Sequence, residues 1–313
     1  MTTPPPPSPS PVAVAGATGE IGSGAARTLA GRVPLRLLGR DAARTRAAAE
    51  ALRERAAASG HDVGWDTAPY GDAGAAERAL RGADVLLMVS AAETAGRLDE
   101  HRTFIDAAAR AGVRHVVYTS FLGAAPDAVF TLARDHFHTE EHLKASGMGW
   151  TILRDNLYQD VLPLFVGEDG ALRGPAGTGR VSAVARDDVA ASAAVVLLDT
   201  AAALAAGRAA AHAGRTYALT GPEAFTLAEA AAEISAATGR PAVFRDETTA
   251  EAYASRAAYG APPWQVDAWV STYTAIASGD LAAVTGDVAA LLGRPARPLA
   301  RTLRLLPGGP ARG

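Results

Sequence analysis

The sequence contains no cysteine among its 313 residues, and it has a single lysine, Lys144. Without thiols the chain has no disulfide, no thiolate metal ligand and no cysteine nucleophile. The formal net charge is −3, so the basic excess that favours binding to nucleic acid is missing. No apolar run approaches the length of about 18 residues that a membrane helix requires. These absences favour a cytoplasmic protein with neither a membrane nor nucleic acid as a direct partner.

The chain is long enough and apolar enough to form a large core. Its hydrophobic content is 49% and its charged content is 20%, which is typical of a globular protein. Residues 1–11 are rich in proline and carry no charged side chain, unlike a secretory signal, which has a basic start and an apolar middle. We therefore predict a disordered, proline-rich leader over residues 1–11.

The segment 12–154 alternates short apolar runs with helical patterns. This alternation predicts an α/β protein with a Rossmann-type, doubly wound parallel sheet, in which ligands bind at the carboxyl ends of the strands. We predict a dinucleotide-binding domain over residues 12–154. The predicted strands are Val12–Ala15, Leu35–Arg40, Val63–Ala68, Ala83–Ser90, His115–Ser120 and Trp150–Arg154.

The second half of the chain has a less regular pattern. The glycine-rich stretch Gly167–Arg180 predicts turns, and Arg215–Gly221 predicts one strand that returns to the first domain. Thr226 and Glu229 have the spacing of a capping box at the start of a helix. We therefore predict that residues 155–305 form a small, mainly helical domain that binds the substrate.

A glycine triplet follows the first predicted strand and opens the first predicted helix. Glycines at this spacing permit a tight turn and a close approach of the backbone to a pyrophosphate, while the helix N-terminus directs free N–H groups at the phosphates. The motif therefore predicts dinucleotide binding; the alternative is a purely structural turn. The residues of this loop that we expect to contact the cofactor are Gly16, Thr18, Gly19, Glu20, Ile21 and Gly22.

The end of the second strand indicates which dinucleotide is preferred. Sites for NAD usually carry an acidic residue about 20 residues after the loop, which binds the ribose 2′-hydroxyl. Here the strand ends at Arg40, with Arg44 one turn later. Because a guanidinium pairs with a 2′-phosphate that a carboxylate would repel, we predict NADP(H) rather than NAD(H). The alternative is that Arg40 is a solvated surface residue. Ser90, at the end of the fourth strand, is also expected near the cofactor.

Several segments together resemble the NmrA-like branch of the atypical short-chain dehydrogenases/reductases, and in particular its NAD(P)H:quinone oxidoreductase-like group. This resemblance covers about residues 12–301. It implies a Rossmann domain, a small C-terminal substrate domain and NADP(H) as ligand, for either a reductase or a redox-sensing regulator. The matching segments are VAVAGATGEIG, YGD, VRHVVYTS, KASGMGWTILRDNLY and GPAGTGRVSAVARDDVA.

The Tyr-x-x-x-Lys pair of the better-known reductases is missing from the sequence. Four residues before the only lysine stands Glu140, and by comparison with the family the lysine and tyrosine positions carry His136 and Leu132. A ketone needs such an acid, because an alkoxide is a poor product at neutral pH. A quinone instead becomes a hydroquinone, whose phenolic pKa is near that of tyrosine, about 10. The missing pair therefore argues against ketone reduction more than against quinone reduction.

Five residues near the carboxyl ends of the fifth and sixth strands are candidates for the acceptor site. We predict that Ser120, His136 and Tyr158 take part in catalysis, with Ser120 and His136 also touching the cofactor. We predict that Phe121, Asn156 and Tyr158 line the substrate pocket. Each has a structural alternative: a strand-end cap for Ser120, a surface histidine for His136 and a core aromatic for Phe121 or Tyr158. Trp264 and Trp269 are further candidates for the pocket wall.

A possible zinc motif, His138-Thr-Glu-Glu141-His142, lies in the predicted fifth crossover helix. No third ligand is evident and the related family has no metal there, so we predict that no metal binds.

The leading hypothesis is NADPH-dependent hydride transfer to a quinone or a similar conjugated, aromatic acceptor. The alternatives are a non-catalytic NADP(H)-sensing regulator with a protein partner, and a tailoring reductase or isomerase of secondary metabolism. The chain is expected to be a monomer or a homodimer.

Overall fold

The computed structural model describes residues 10–306. The proline-rich leader predicted for residues 1–11 therefore lies, apart from Ser10 and Pro11, outside the described residues. The described part of the chain contains eleven strands and eleven α-helices, with short 3-10 helices at Ala57–Ser59, Gln159–Phe165 and Ala257–Tyr259.

The first part of the chain alternates strands and helices as predicted. Its elements are β1 (Val12–Ala15), α1 (Glu20–Leu29), β2 (Leu35–Gly39), α2 (Ala42–Ala56), β3 (Val63–Thr67), α3 (Ala73–Leu80), β4 (Val85–Met88), α4 (Arg97–Ala111), β5 (His115–Phe121), α5 (Thr131–Ala145) and β6 (Gly149–Asp155).

The later part of the chain contains more strand than the sequence predicted. Its elements are β7 (Ala171–Gly174), β8 (Arg180–Val181), α6 (Arg186–Ala205), β9 (Arg215–Leu219), β10 (Phe225–Thr226), α7 (Leu227–Thr238), β11 (Val243–Asp246), α8 (Thr249–Arg256), α9 (Pro263–Ser278), α10 (Asp287–Leu292) and α11 (Leu299–Leu305).

Seven strands form one sheet in the order β3-β2-β1-β4-β5-β6-β9. The pairs β1–β2, β1–β4, β2–β3 and β4–β5 are parallel, and in register Val12 lies opposite both Leu35 and Val85. The strand order reverses between β1 and β4, which is the position where doubly wound folds bind ligands. The predicted Rossmann-type sheet, including its returning strand β9, is confirmed.

Local sequence signals explain where several helices begin. Asp41 caps α2 by accepting a hydrogen bond from the Arg44 backbone N–H at 2.9 Å. The predicted capping box at α7 is confirmed, since Thr226 accepts from the Glu229 N–H and the Glu229 carboxylate accepts from the Thr226 N–H. These bonds satisfy N–H groups that the first turn of a helix leaves without a partner.

Two sequence-based assignments need correction. Gly167–Arg180 is not only turns, because β7 lies within it and pairs in parallel with β11. A pairing partner about 70 residues away along the chain gives no local signal, and β7 has only four residues. The predicted strand Ala83–Ser90 is shorter than expected: β4 ends at Met88, and the following residues form a loop.

The chain divides into two compact units. The first comprises the described chain up to Thr119, then Thr139–Ile152 and Ala190–Thr216. The second comprises Ser120–His138, Leu153–Val189 and the described chain from Tyr217 onward. Each has its own apolar core, and the chain passes between them more than once. The assignment of a cofactor domain to 12–154 and a substrate domain to 155–305 stays a prediction.

One helix departs from the expectation that no segment has the length and hydropathy of a membrane span. Helix α6 has 20 residues and a mean hydropathy of 1.7 over its most apolar window, but 56% of that window is buried inside the protein. Buried core helices meet the same two criteria, so α6 is weak support for a membrane location.

Candidate functional site

The glycine loop between β1 and α1 is a tight turn that depends on glycine at its first position. Gly16 has a φ of 69°, in the left-handed region that side chains disfavour. The turn closes with a hydrogen bond from the Gly19 N–H to the Gly16 carbonyl oxygen at 2.9 Å. Gly19 is then the N-cap of α1. The loop therefore brings the start of α1 directly to the carboxyl end of β1.

The third glycine allows α1 to pack against this turn. A Cβ atom on Gly22 would lie 2.3 Å from the carbonyl oxygen of Gly16, which is far inside van der Waals contact. Gly19 and Glu20 are exposed, whereas Ile21 and Gly22 are buried and Thr18 is half-buried. The exposed backbone at the start of α1 fits a pyrophosphate, which binds to N–H groups at a helix N-terminus.

The two arginines predicted to select the cofactor lie at the start of the next crossover. Arg40 follows β2 directly, and Arg44 lies in the first turn of α2; both side chains are exposed. Within the described residues neither guanidinium forms an ion pair with a carboxylate. The nearby acid, Asp41, is engaged in capping α2. Free positive charge at the end of β2 is compatible with a 2′-phosphate.

Ser90 lies in the loop that follows β4, and it is half-buried. Its backbone N–H donates to the hydroxyl oxygen of Thr119 on β5 at 2.9 Å. The glycine loop, Arg40 and Ser90 all belong to the first unit.

The predicted acceptor residues all belong to the second unit. Ser120 is 1% exposed and His136 is 6% exposed. His136 is therefore buried, which excludes the alternative that it is a surface histidine. The ring of Phe121 packs 4.9 Å from that of Phe130 and 6.2 Å from that of His136, measured between centroids. Phe121 is thus part of a packed aromatic cluster, and its predicted place in a pocket wall stays a prediction.

Tyr158 forms a close pair with Asp155, which was not among the predicted site residues. Its hydroxyl donates to the carboxylate of Asp155 at 2.5 Å, and the guanidinium of Arg186 lies 5.1 Å from the centroid of its ring. Burial raises the pKa of Asp155 to about 8, although the hydrogen bond from Tyr158 opposes the rise. Burial, followed by the charge of Asp155, raises the pKa of Tyr158 well above its usual value. Burial thus favours the protonated form of Asp155 near neutral pH, while proton donation by Tyr158 stays a prediction.

Asn156 is completely buried and holds the chain that follows β6. Its side-chain nitrogen donates to the Ser182 hydroxyl and to the Leu281 carbonyl oxygen, both at 3.0 Å. Its side-chain oxygen accepts from the Leu157 N–H at 2.8 Å. These partners are all protein atoms, so Asn156 supports the local fold, and its predicted place in the substrate pocket stays a prediction.

The second unit contains a cavity of about 660 Å³, and four of its ten lining residues are aromatic. This volume is in the range of small-molecule sites, about 300–1,000 Å³. Of the two tryptophans predicted to line the pocket, Trp269 lies in the wall of this cavity, whereas Trp264, on the same helix, does not. The ring-bearing and charged residues of the wall are Phe165, Tyr259, Trp269, Tyr273, Arg173 and Arg256.

Both arginines of the cavity wall are already paired with acids. Arg256 donates to Glu247 at 3.0 Å and lies 5.1 Å from the ring centroid of Tyr273. Arg173 donates to both carboxylate oxygens of Asp169. With its positive charges neutralised, the cavity suits an uncharged aromatic molecule better than an anion.

The zinc-like motif on α5 does not converge on a metal site. His138 is exposed, whereas His142 forms a 2.7 Å hydrogen bond with Asp106. Within residues 10–306 no group of three or more histidine, aspartate or glutamate side chains is arranged to hold a metal ion.

Comparison with known proteins identifies related chains. The model of a family described as NAD(P)H-binding matches residues 16–200. Quinone oxidoreductase 2 of Escherichia coli is 33% identical over 86% of this chain and 89% of its own length. A (4-alkanoyl-5-oxo-2,5-dihydrofuran-3-yl)methyl phosphate reductase of Streptomyces griseus is 34% identical over 91% of this chain and 94% of its own. An NAD(P)H azoreductase of Xenophilus azovorans is 31% identical over 92% and 94%.

Solved structures give the same result. The crystal structure of an Escherichia coli NADPH-dependent quinone oxidoreductase complexed with NADPH has a TM-score of 0.78 and 31% identity, and the match covers 93% of this chain and 98% of that one. NmrA, a negative transcriptional regulator, has a TM-score of 0.70 over 95% of both chains at 16% identity, which shows a shared fold alone.

We predict that Gly22→Ala weakens NADPH binding about 10- to 100-fold. The added methyl group would overlap the Gly16 carbonyl and displace the loop, and overpacking of this kind costs about 1–3 kcal/mol. Titration of NADPH by isothermal calorimetry measures the effect. Gly24→Ala is the matched control. Gly24 lies on the same helix α1 as Gly22, but its added Cβ would meet Ala190 of α6 at 2.8 Å and would not touch the loop. Equal dissociation constants for the two variants would contradict the assignment.

We predict that Asp155 makes the protein less stable as the pH rises from about 4 to about 8. In this window the native state keeps a proton that the unfolded state has released, since the native pKa is about 8 and the usual value is 3.8. The free energy of unfolding then falls by up to about 1.4 kcal/mol per pH unit and levels off above the native pKa.

Asp155→Asn should remove this slope while keeping an oxygen that accepts from Tyr158. Urea unfolding between pH 5 and 9 measures the slope for the two proteins. Asp169→Asn is the control, because the pKa of that exposed carboxyl is lowered by Arg173 and so changes below this window. Parallel profiles for wild type and Asp155→Asn would contradict the prediction.

Proposed function

The chain belongs to the NAD(P)H-binding family and is related to quinone oxidoreductases, and from this we propose that it is an NADPH-dependent reductase of a quinone or another neutral, planar aromatic acceptor. The aromatic cavity of the second unit carries the proposal of the acceptor class. Its wall offers four aromatic rings, and both of its arginines are already paired with carboxylates. A cytoplasmic location, as predicted from the sequence, belongs to this proposal.

In this proposal the glycine loop and the start of α1 bind the pyrophosphate, and Arg40 binds the 2′-phosphate. When bound, NADPH supplies a hydride, so that the acceptor, the hydride and one proton from solvent give a hydroquinone and NADP⁺. The residues of the cavity hold the acceptor by ring contacts, which supports positioning rather than acid catalysis. The absence of the Tyr-x-x-x-Lys pair is tolerable because hydroquinone has a phenolic pKa of about 10, so its anion is a good enough first product and takes its proton from solvent without an enzymic acid.

The related furanone phosphate reductase suggests a tailoring reductase as a second candidate. A phosphorylated acceptor needs a cation that is free to bind it. Of the two arginines in the cavity wall, Arg256 pairs with Glu247, each only 10% exposed, and Arg173 pairs with Asp169. We therefore favour the uncharged acceptor.

Trp269 provides the direct test of the acceptor site. We predict that Trp269→Ala raises the KM for a neutral quinone such as menadione about tenfold, because a ring contact and its buried area are lost. The dissociation constant for NADPH should stay unchanged. Trp264→Ala, on the same helix α9 but outside the cavity wall, is the control and should keep the wild-type KM.

Absorbance at 340 nm reports NADPH oxidation in this assay. A phosphorylated acceptor turned over faster than neutral quinones would favour the second candidate. Tight NADPH binding without turnover of any acceptor would favour a sensor that acts on a protein partner.

We predict that Arg40→Ala weakens NADPH about 10- to 100-fold and NADH less than about twofold, because a charge-assisted hydrogen bond is worth about 1.5–3 kcal/mol. Calorimetric titration with both cofactors measures the two effects. Arg46→Ala is the control, because Arg46 is an exposed arginine of α2 that pairs with Glu50. This variant should bind both cofactors with wild-type affinity. Equal losses of NADPH and NADH affinity in Arg40→Ala would overturn the preference for NADPH.

A further inference from the structure

Three consecutive residues after β4, Val89–Ala91, are each held by a side chain from a different part of the first unit. We refer to this segment as the β4 loop. The Tyr70 hydroxyl donates to the backbone carbonyl oxygen of Val89 at 2.6 Å. The backbone N–H of Ser90 donates to the Thr119 hydroxyl oxygen at 2.9 Å, and the backbone N–H of Ala91 donates to Nε2 of His101 at 2.8 Å. A loop with three side-chain tethers has little freedom to change its backbone conformation.

The β4 loop lies against the glycine loop. A Cβ on Gly16 would stand 3.0 Å from the Cβ of Val89, so the two loops are already in contact. The strands that they follow, β1 and β4, are neighbours at the point where the strand order reverses. Since a doubly wound sheet binds its ligand in the crevice at this point, the β4 loop forms the wall opposite the start of α1.

His101 is the most unusual of the three tethers, because it is an ionisable group with no exposed surface. Burial, and then the positive charge of Arg97, lowers the pKa of His101 to about 3, so the imidazole is neutral near pH 7. The N–H of Ala91 is a donor, so Nε2 must be the accepting nitrogen. The ring proton is therefore on Nδ1, which lies 2.9 Å from the hydroxyl oxygen of Thr139 and donates to it.

Aromatic rings hold the imidazole in this orientation. Tyr70 stacks on Phe104 with a centroid distance of 4.1 Å and an angle of 16°. The His101 ring lies 6.0 Å from Tyr70 and meets Tyr118 edge-on at 5.9 Å. The same Tyr70 tethers the β4 loop through its hydroxyl, so the ring packing and two of the tethers form one connected structure.

We propose that His101 is a positioning residue for the dinucleotide: as a neutral acceptor it fixes the Ala91 N–H and so sets the shape of the β4 loop against which the cofactor binds. The proposal rests on binding of NAD(P)H by the first unit, and it does not depend on the identity of the acceptor. If the protein reduces no quinone, the proposal for His101 is still tested by NADPH binding alone.

The test compares His101→Phe with His101→Gln, using NADPH dissociation constants from calorimetry at a temperature where circular dichroism shows every variant folded. Phenylalanine fills the space but cannot accept a hydrogen bond, so we expect binding at least tenfold weaker. Glutamine places an amide oxygen near the position of Nε2, so we expect it to recover most of the affinity. Recovery by glutamine separates the hydrogen bond from ring packing.

His115→Phe is the matched control for loss of a buried histidine. His115 is 2% exposed, lies at the start of β5 in the same unit and hydrogen-bonds Thr151 at 2.9 Å. Burial likewise lowers its pKa, to about 4. Because it stands at the amino end of its strand, the edge of the sheet away from the β4 loop, His115→Phe should lower the melting temperature yet keep the NADPH dissociation constant within about twofold of wild type.

Thr119→Val serves if His101→Phe does not fold, since it keeps the shape of the side chain and removes only the hydroxyl that accepts from Ser90. We expect it to weaken NADPH about fivefold or more. The proposal is overturned if His101→Phe binds NADPH like wild type, if His101→Phe and His115→Phe weaken it equally, if glutamine recovers nothing, or if Thr119→Val leaves binding unchanged.

Discussion

The contact between Gly22 and the carbonyl of Gly16 is the constraint on which the cofactor site depends. A helix can begin this close to a strand only if its first turn has no side chain where it meets the preceding loop, and a Cβ at Gly22 would stand 2.3 Å from that carbonyl oxygen. The close approach aims the N-terminus of α1 at the crevice where the strand order reverses. The segment Val89–Ala91, which we propose forms the opposite wall, is held by three side-chain hydrogen bonds. Preorganisation of this kind reduces the ordering cost of binding.

The second unit combines packed polar groups with one roomy aromatic cavity. Asn156 and the pair Asp155–Tyr158 form hydrogen bonds within the protein, and the site roles predicted for Asn156 and Tyr158 stay predictions. The cavity has its charges neutralised by internal ion pairs. A protein arranged in this way can orient a flat, uncharged molecule without supplying an acid, and that suits an acceptor whose reduced form is stable as a phenol.

Much of the fold was predictable because its signals are local. The alternation of apolar runs and helical patterns, the glycine triplet and the capping box at Thr226 each depend on residues close together in the chain, and the structure confirms the sheet, its returning strand and the box. The β7–β11 pairing was not predictable, because it joins two four-residue segments about 70 residues apart. The side chains that hold the β4 loop were not predictable for the same reason. Tyr70, Thr119 and His101 are distant from the loop along the chain, and no local sequence pattern links any of them to it.

Predictions about the site were weaker for the same physical reason. A tyrosine three residues after an aspartate gives no warning that burial will raise the pKa of that aspartate to about 8. Asp155 is the last residue of the apolar strand β6, and that position, at the ligand-binding edge of a parallel sheet, was the signal available. Trp269 was named as a candidate, and Tyr273 lies four residues further on in the same helix α9. The other two rings, Phe165 and Tyr259, come from separate 3-10 helices that only the fold brings to Trp269.

The most direct measurement is NADPH oxidation at 340 nm by the purified protein with a panel of neutral quinones, beside a calorimetric NADPH titration on the same preparation. The account predicts saturable binding of NADPH together with turnover of at least one neutral quinone, in the absence of any Tyr-x-x-x-Lys pair. Saturable binding with no oxidation above the rate without protein, across the whole panel, would contradict it.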